Sequence, residues 1–173
     1  MADERGGVVT MGGNPVTLLG PRLREGERAP EFTAVDAGLK DWSFLERTAG
    51  RPRLLSLVPS LDTSVCNLQT RRFDEGVAAL GDRVAAVTVS MDLPFAQSRW
   101  RKEAGTAHMI LVSDHRDAAC GLAYGALIQG LRLDCRAVFV VDAGGVVRHA
   151  EYVGEVTQHP DYDRALAALR AAL

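Results

Sequence analysis

The residues best suited to chemistry lie in one short segment, Pro59-Ser60-Leu61-Asp62-Thr63-Ser64-Val65-Cys66. It leaves a nearly continuous apolar run, Arg53-Leu54-Leu55-Ser56-Leu57-Val58, and enters a stretch patterned as a helix. Thr63 suits the N-cap, which puts Cys66 in the first helical turn; Asp62 as the cap would move the start by one residue and keep Cys66 in that turn. A free thiol, with a pKa of ~8.5, is only about 3% thiolate at neutral pH. Unpaired N–H groups and the positive dipole end at a helix N-terminus favour the anion by ~0.3–1 kcal/mol, up to ~2 kcal/mol when partly buried. Lowering a thiol pKa by two to three takes roughly 3–4 kcal/mol. The helix end alone falls short, so a nearby cation, expected to be an arginine from elsewhere in the chain, or further hydrogen bonds must complete the site. Cysteine is also among the most buried residue types and often acts as a small hydrophobe. Position argues for a reactive thiol: Cys66 follows Val65, out of step with the apolar stripe of the helix, and lies at a strand-to-helix edge where α/β folds place their sites.

The elements that must carry this segment are legible as patterns. Val8–Met11, Gly12-Gly13-Asn14 and Pro15–Leu19 predict a β-hairpin around a glycine turn. Phe32–Val35 is a weak strand and Arg53–Val58 a strong one, apolar enough for burial on both faces. Val65, Leu68, Phe73, Val77 and Leu80 mark one face of the helix after Pro59, with Gly76 expected to bend or end it early. A strand over Val84–Ser90, a helix over Pro94–Ala104 with proline in its first turn, a strand over His108–Val112 and a short helix over Asp117–Tyr124 follow. Ala137–Val141 and Val146–Tyr152 flank the turn Asp142-Ala143-Gly144-Gly145, and a last helix carries Tyr162, Leu166, Leu169 and Leu173 on one side. Strands alternating with helices, closed by an antiparallel hairpin, predict an α/β fold with a mixed central sheet flanked by helices. One domain over residues 1–173, with an N-terminal hairpin at about residues 7–20, is expected.

Composition narrows the function classes. The chain has 173 residues, is 47% hydrophobic and 24% charged, and so is neither a disordered chain nor a coiled coil. With 20 Lys plus Arg against 22 Asp plus Glu, its net charge of −2 makes no broad electrostatic case for nucleic acid or an anionic membrane. No stretch approaches the ~20 apolar residues of a membrane span, and Met-Ala-Asp-Glu-Arg-Gly-Gly lacks a signal-peptide run. Three widely spaced cysteines make a poor disulfide framework, so a cytoplasmic location is expected. His108, His115, His149 and His159 lack metal-ligand spacing, no C-x-x-C and no Walker-type loop occurs, and no metal or cofactor is expected.

Pro59-x-x-x-Thr63-x-x-Cys66 resembles the peroxidatic signature of the peroxiredoxins. Asp92-Leu93-Pro94-Phe95-Ala96-Gln97-Ser98-Arg99, Gly13-Asn14-Pro15-Val16-Thr17, Pro160-Asp161-Tyr162 and the arginine-led strand from Arg136 to Asp142 are similar to the pattern of the bacterial thiol peroxidase subfamily. The resemblance covers nearly the whole chain. It implies a thioredoxin-like fold and reduction of hydrogen peroxide and organic hydroperoxides, with a lean toward organic substrates and a homodimer. Under it, Cys66 is the nucleophile that becomes a sulfenic acid, Thr63 offers its hydroxyl to the thiolate and the peroxide, Pro59 shapes the loop and shields the sulfur, and Arg136 supplies the cation. The subfamily usually carries a resolving cysteine just after a Ser-Arg-aromatic stretch. Here that stretch reads Ser98-Arg99-Trp100-Arg101, with arginine where the cysteine is expected. The resemblance then implies a one-cysteine mechanism in which thioredoxin or another external thiol reduces the sulfenic acid. Cys120 reads as buried filler, and Cys135 should face away from the site if its neighbour Arg136 faces it. The alternative class is a peroxide sensor or redox-relay protein that uses the same cysteine without turnover.

Overall fold

Residues 3–173 are described in a computed structural model. The chain begins with β1 (Glu4–Met11), β2 (Asn14–Leu19), β3 (Thr33–Val35), β4 (Asp41–Ser43) and the short helix α1 (Phe44–Arg47). It continues through β5 (Arg53–Leu57), α2 (Ser64–Ala78), β6 (Ala85–Ser90), α3 (Pro94–Ala104), β7 (Met109–Ser113) and α4 (Ala119–Ala123). It ends with β8 (Leu127–Ile128), β9 (Leu133–Asp134), β10 (Ala137–Val141), β11 (Val147–Tyr152) and α5 (Tyr162–Ala171). No described helix is long and apolar enough to cross a membrane.

β5, β6 and β7 run parallel at the centre of a seven-stranded sheet of order β11-β10-β5-β6-β7-β3-β4, and antiparallel strands flank them. Every residue of β5 and β6 is buried, which is why these strands read as apolar runs rather than alternating ones. Side-chain alternation divides the core in two. Leu54, Val138 and Val140 face α2 and α5 together with Phe73, Trp100 and Leu169. Leu55, Leu57, Ala137 and Phe139 face the other way, against Phe32, Phe44 and Tyr124. There Phe32 stacks on Phe44 at 5.0 Å between centroids, and Tyr124 meets Phe139 edge-on at 5.1 Å.

β1 and β2 form the expected hairpin, longer than expected toward the N-terminus, with Met11 paired to Asn14 across Gly12 and Gly13. Those two glycines have φ of 58° and 81°, and a type I′ hairpin turn requires positive φ at both central positions. β2 pairs with β8 and β8 with β9, giving a second sheet of four strands.

Two expectations about α2 are corrected. The helix does not stop at Gly76 but runs to Ala78. A Cβ at Gly76 would lie 2.6 Å from Leu166 Cδ1, so the glycine lets α5 approach α2 rather than ending the helix. The inward stripe is also only in part the one the apolar residues suggested, keeping Phe73, Val77 and Leu80. Leu68 is 46% exposed, whereas Cys66, Gln69, Thr70, Phe73 and Val77 are buried, at helical spacing. Cys66 is therefore in step with the buried face, and the polar residues Gln69 and Thr70 had disguised that face.

Candidate active site

The turn from β5 into α2 places Cys66 at the third position of the helix, with Thr63 at the N-cap in an extended conformation of φ −92° and ψ 148°. The amide of Asn67 makes the first helical bond, to the Thr63 carbonyl at 2.9 Å. The N–H groups of Ser64, Val65 and Cys66 thus have no intrahelical acceptor and point out of the helix end. Thr63 caps with its backbone only. Its side chain makes no capping bond; instead Oγ1 lies 2.7 Å from Cys66 Sγ and 3.0 Å from the Ser60 carbonyl oxygen. One hydroxyl proton serves two states. With a thiol, Sγ–H donates to Oγ1 and the hydroxyl donates to Ser60 O; with a thiolate, the hydroxyl turns and donates to Sγ.

Arg136 approaches the same sulfur from the residues just before β10. Its Nη2 lies 3.4 Å from Cys66 Sγ, Nη1 donates to Gln69 Oε1 at 2.7 Å, and Nε donates to the Val156 carbonyl at 2.9 Å. Gln69 is itself held by Nε2 donating to Ser56 Oγ at 2.8 Å. Arg136 is 2% exposed, and among the described residues no carboxylate pairs with it. A buried guanidinium without a counter-charge is costly, and two neutral acceptors do not remove its charge. The Cys66 sulfur, 3.4 Å from Nη2, is able to supply a negative charge. A negative charge on that sulfur would compensate the buried guanidinium.

Asp92, in the loop after β6, holds the segment before Cys66 in place. Ser60 Oγ donates to its Oδ1 at 2.6 Å, while the Leu61 amide and Ser90 Oγ donate to Oδ2, each at 2.7 Å. Pro59 is buried at the start of that segment. Gln69 and Asp92 were not singled out from the sequence as site residues. A sequence signal existed for each: Gln69 lies one turn beyond Cys66, and Asp92 opens the block that resembles the thiol peroxidase pattern.

The other two cysteines lie across the sheet. Cys66 belongs to the core face under α2 and α5, whereas Cys120 and Cys135 are fully buried on the opposite face. Cys135 and Arg136 do face opposite ways as expected, although both lie between β9 and β10 rather than within a strand. Burial pushes the Cys135 thiol up to about 12, and burial followed by the nearby Asp114 and Asp134 carboxyls pushes Cys120 well above the usual thiol range. Neither is poised as a nucleophile. At the position where a resolving cysteine was expected, the Arg101 guanidinium donates to the Met109 carbonyl and ties α3 to β7. Among the described residues no group of three or more His, Cys, Asp or Glu is arranged to hold a metal ion.

A mixed sheet with a lone buried cysteine at a helix N-terminus beneath an arginine defines a thioredoxin-like protein of the thiol-redox class. The pattern of the Redoxin family matches residues 24–166, and the chain belongs to that family. It is 50% identical to a thiol peroxidase of Halalkalibacterium halodurans over 165 residues, covering 95% of this chain and 98% of the relative. It is 45% identical to a thiol peroxidase of Bacillus subtilis over 163 residues, covering 94% and 96%. Among solved structures, a peroxiredoxin-like protein from Aquifex aeolicus superimposes with a TM-score of 0.88 at 35% identity, covering 98% of this chain and 99% of that one. A thiol peroxidase from Chromobacterium violaceum, with a TM-score of 0.84, 24% identity and coverage of 94% and 95%, shares the fold. The fold is that of the peroxiredoxins.

Proposed function

We propose that Cys66 carries the thiol-dependent peroxide reduction that this chain performs, with Thr63 and Arg136 acting on its sulfur. The observation that carries the assignment is the pair of contacts at Sγ, 2.7 Å from the Thr63 hydroxyl and 3.4 Å from an Arg136 that has no carboxylate partner. The Cys66 thiolate attacks one oxygen of a hydroperoxide. The S–O bond forms as the O–O bond breaks, sulfur loses two electrons, and the leaving oxygen takes a proton to depart as water or an alcohol. Negative charge grows on that leaving oxygen, where the guanidinium and the free N–H groups of the first turn of α2 can stabilise it without reorganising. The Pro59 ring closes the loop over the sulfur and limits water.

The sulfenic acid is then reduced from outside. One thiol displaces water to give a mixed disulfide, and a second releases Cys66. The burial of Cys120 and Cys135 on the far face of the sheet favours this one-cysteine route over an internal disulfide. Because Cys66 is fully buried, loop 59–63 and the first turn of α2 must open to admit thioredoxin or another thiol. A cytoplasmic homodimer that takes both hydrogen peroxide and organic hydroperoxides completes the reading.

The test is peroxide consumption coupled to thioredoxin, its reductase and NADPH, with oxidised products mapped by mass spectrometry. Catalytic turnover that vanishes in Cys66→Ser, with sulfenic acid or a mixed disulfide on Cys66, is expected. Turnover retained in that variant overturns the assignment, an internal bond from Cys66 to Cys120 or Cys135 overturns the one-cysteine route, and a single stoichiometric oxidation marks a sensor instead.

A further inference from the structure

The acceptor that orients Arg136 does not belong to a regular element. Its Nε donates to the carbonyl of Val156, in the irregular stretch between β11 and α5. That stretch is fixed by Glu155, whose carboxylate gathers donors from the tip of the β1–β2 hairpin and from its own loop. Thr10 Oγ1 donates to Oε2 at 2.7 Å, Gly13 N–H to Oε2 at 3.0 Å and Gly12 N–H to Oε1 at 2.9 Å. Thr157 adds its amide at 3.0 Å and its hydroxyl at 2.9 Å, both to Oε1. The two successive glycine N–H groups, turned together by positive φ, form a small anion nest for the carboxylate. Backbone bonds on either side of Glu155 close the clamp, from Thr10 N to Gly154 O and from Val156 N to Thr10 O, each at 2.8 Å.

We propose that Glu155 is a positioning residue for peroxide reduction: by locking the hairpin tip to its own loop it holds the Val156 carbonyl, and through it the guanidinium that faces Cys66. The inference rests on the assignment of Arg136 made above. Glu155 touches neither sulfur nor substrate. Its effect passes through one carbonyl, and a guanidinium displaced by a fraction of an ångström no longer meets the sulfur and the leaving oxygen together. The Thr10 hydroxyl and then the Gly13 amide hold its carboxyl well below the usual carboxylate range, so the clamp stays charged throughout neutral and mildly acidic pH.

The test is a rate cycle. Stopped-flow oxidation of Cys66 by hydrogen peroxide is followed in the full chain, in Glu155→Ala, in Arg136→Lys and in the double variant. Glu155→Ala is expected to slow oxidation roughly 10-fold in the native background and less than about 2-fold in the Arg136→Lys background, because the residue acts through the arginine. A residue that only stabilised the fold would leave the rate of the folded protein unchanged, or slow both backgrounds by the same factor. Either result overturns the inference while Arg136→Lys remains slow. If Arg136→Lys by itself reacts at the native rate, the assignment of Arg136 fails first and the inference falls with it. Thr10→Val, which removes one hydroxyl from the clamp, keeps the question answerable if Glu155→Ala does not fold. A smaller loss that again disappears in the Arg136→Lys background supports the proposal, and an unchanged rate overturns it.

Discussion

A thiolate at Cys66 and the guanidinium of Arg136 would each be unfavourable alone and become tolerable as neighbours. Thr63 adds a hydroxyl that can follow the proton on the sulfur, because the Ser60 carbonyl offers it a second acceptor when Cys66 is a thiol. This separates its chemical part from any structural one. Thr63 is exposed and its side chain caps nothing, so Thr63→Val keeps the shape and removes only the hydroxyl. Oxidation of Cys66 by hydrogen peroxide should slow by roughly 10- to 100-fold in Thr63→Val, with the melting temperature nearly unchanged, and most of the rate should return in Thr63→Ser. Stopped-flow kinetics and a thermal melt check both halves. A native rate in Thr63→Val would restrict the residue to its backbone role at the helix start.

The element that decides access to the sulfur is the loop between β5 and α2. It is held by the Asp92 carboxylate, which joins it to Ser90 at the end of β6. Asp92→Ala would leave the Leu61 amide and the Ser60 hydroxyl without that acceptor, at a cost on the order of 1–3 kcal/mol. Hydrogen exchange should show faster exchange of the Leu61 amide and its helical neighbours, while amides of β5 and β6 keep their protection. Equal protection in the loop would show that another contact holds it. Gly76 matters at the same scale, since the missing side chain sets how closely α5 seals the buried face of α2.

Across the sheet from the active site, the molecule carries a buried acid that the reaction does not use. Asp134 is fully buried and neither carboxyl oxygen has a hydrogen-bond partner, whereas Asp114 accepts the amides of Cys120 and Gly121 at 3.0 and 2.8 Å. Burial first, and then the charge of Asp114, push the Asp134 carboxyl well above its usual range. Asp114 is raised as well, by its own burial, with the amides and Arg132 acting against that rise. A carboxyl raised in the folded state contributes its full stability below the unfolded carboxylate range, and that contribution is lost as pH rises toward the folded value. Asp134→Asn removes the titration and keeps the shape. It should raise stability near neutral pH by on the order of 1–3 kcal/mol and flatten the fall in stability between mildly acidic and neutral pH. Urea unfolding at a series of pH values measures this, and parallel pH profiles for the two proteins would refute it.

The pattern of apolar runs and turns was enough to place most elements, because burial on both faces of β5 and β6 and the proline opening α3 are local properties of the chain. It also carried Cys66 to a helix N-terminus, and the charge argument there required a cation. Local pattern could not show which face of α2 turns inward, since Gln69 is buried for the sake of Ser56 and Arg136, which lie outside the helix, and Thr70 satisfies its hydroxyl on the Cys66 carbonyl one turn back. Nor could it assign Gly76, whose reason is a leucine 90 positions later, in α5. The choice of cation, the loop anchor at Asp92 and the clamp at Glu155 all depend on distances between groups tens of residues apart. Sequence by itself determined most of the elements, a candidate nucleophile and the need for a counter-charge beside it. Only the tertiary structure decided how that need is met, because hydrogen bonds and buried charges are settled by which groups the fold brings within about 3 Å of one another.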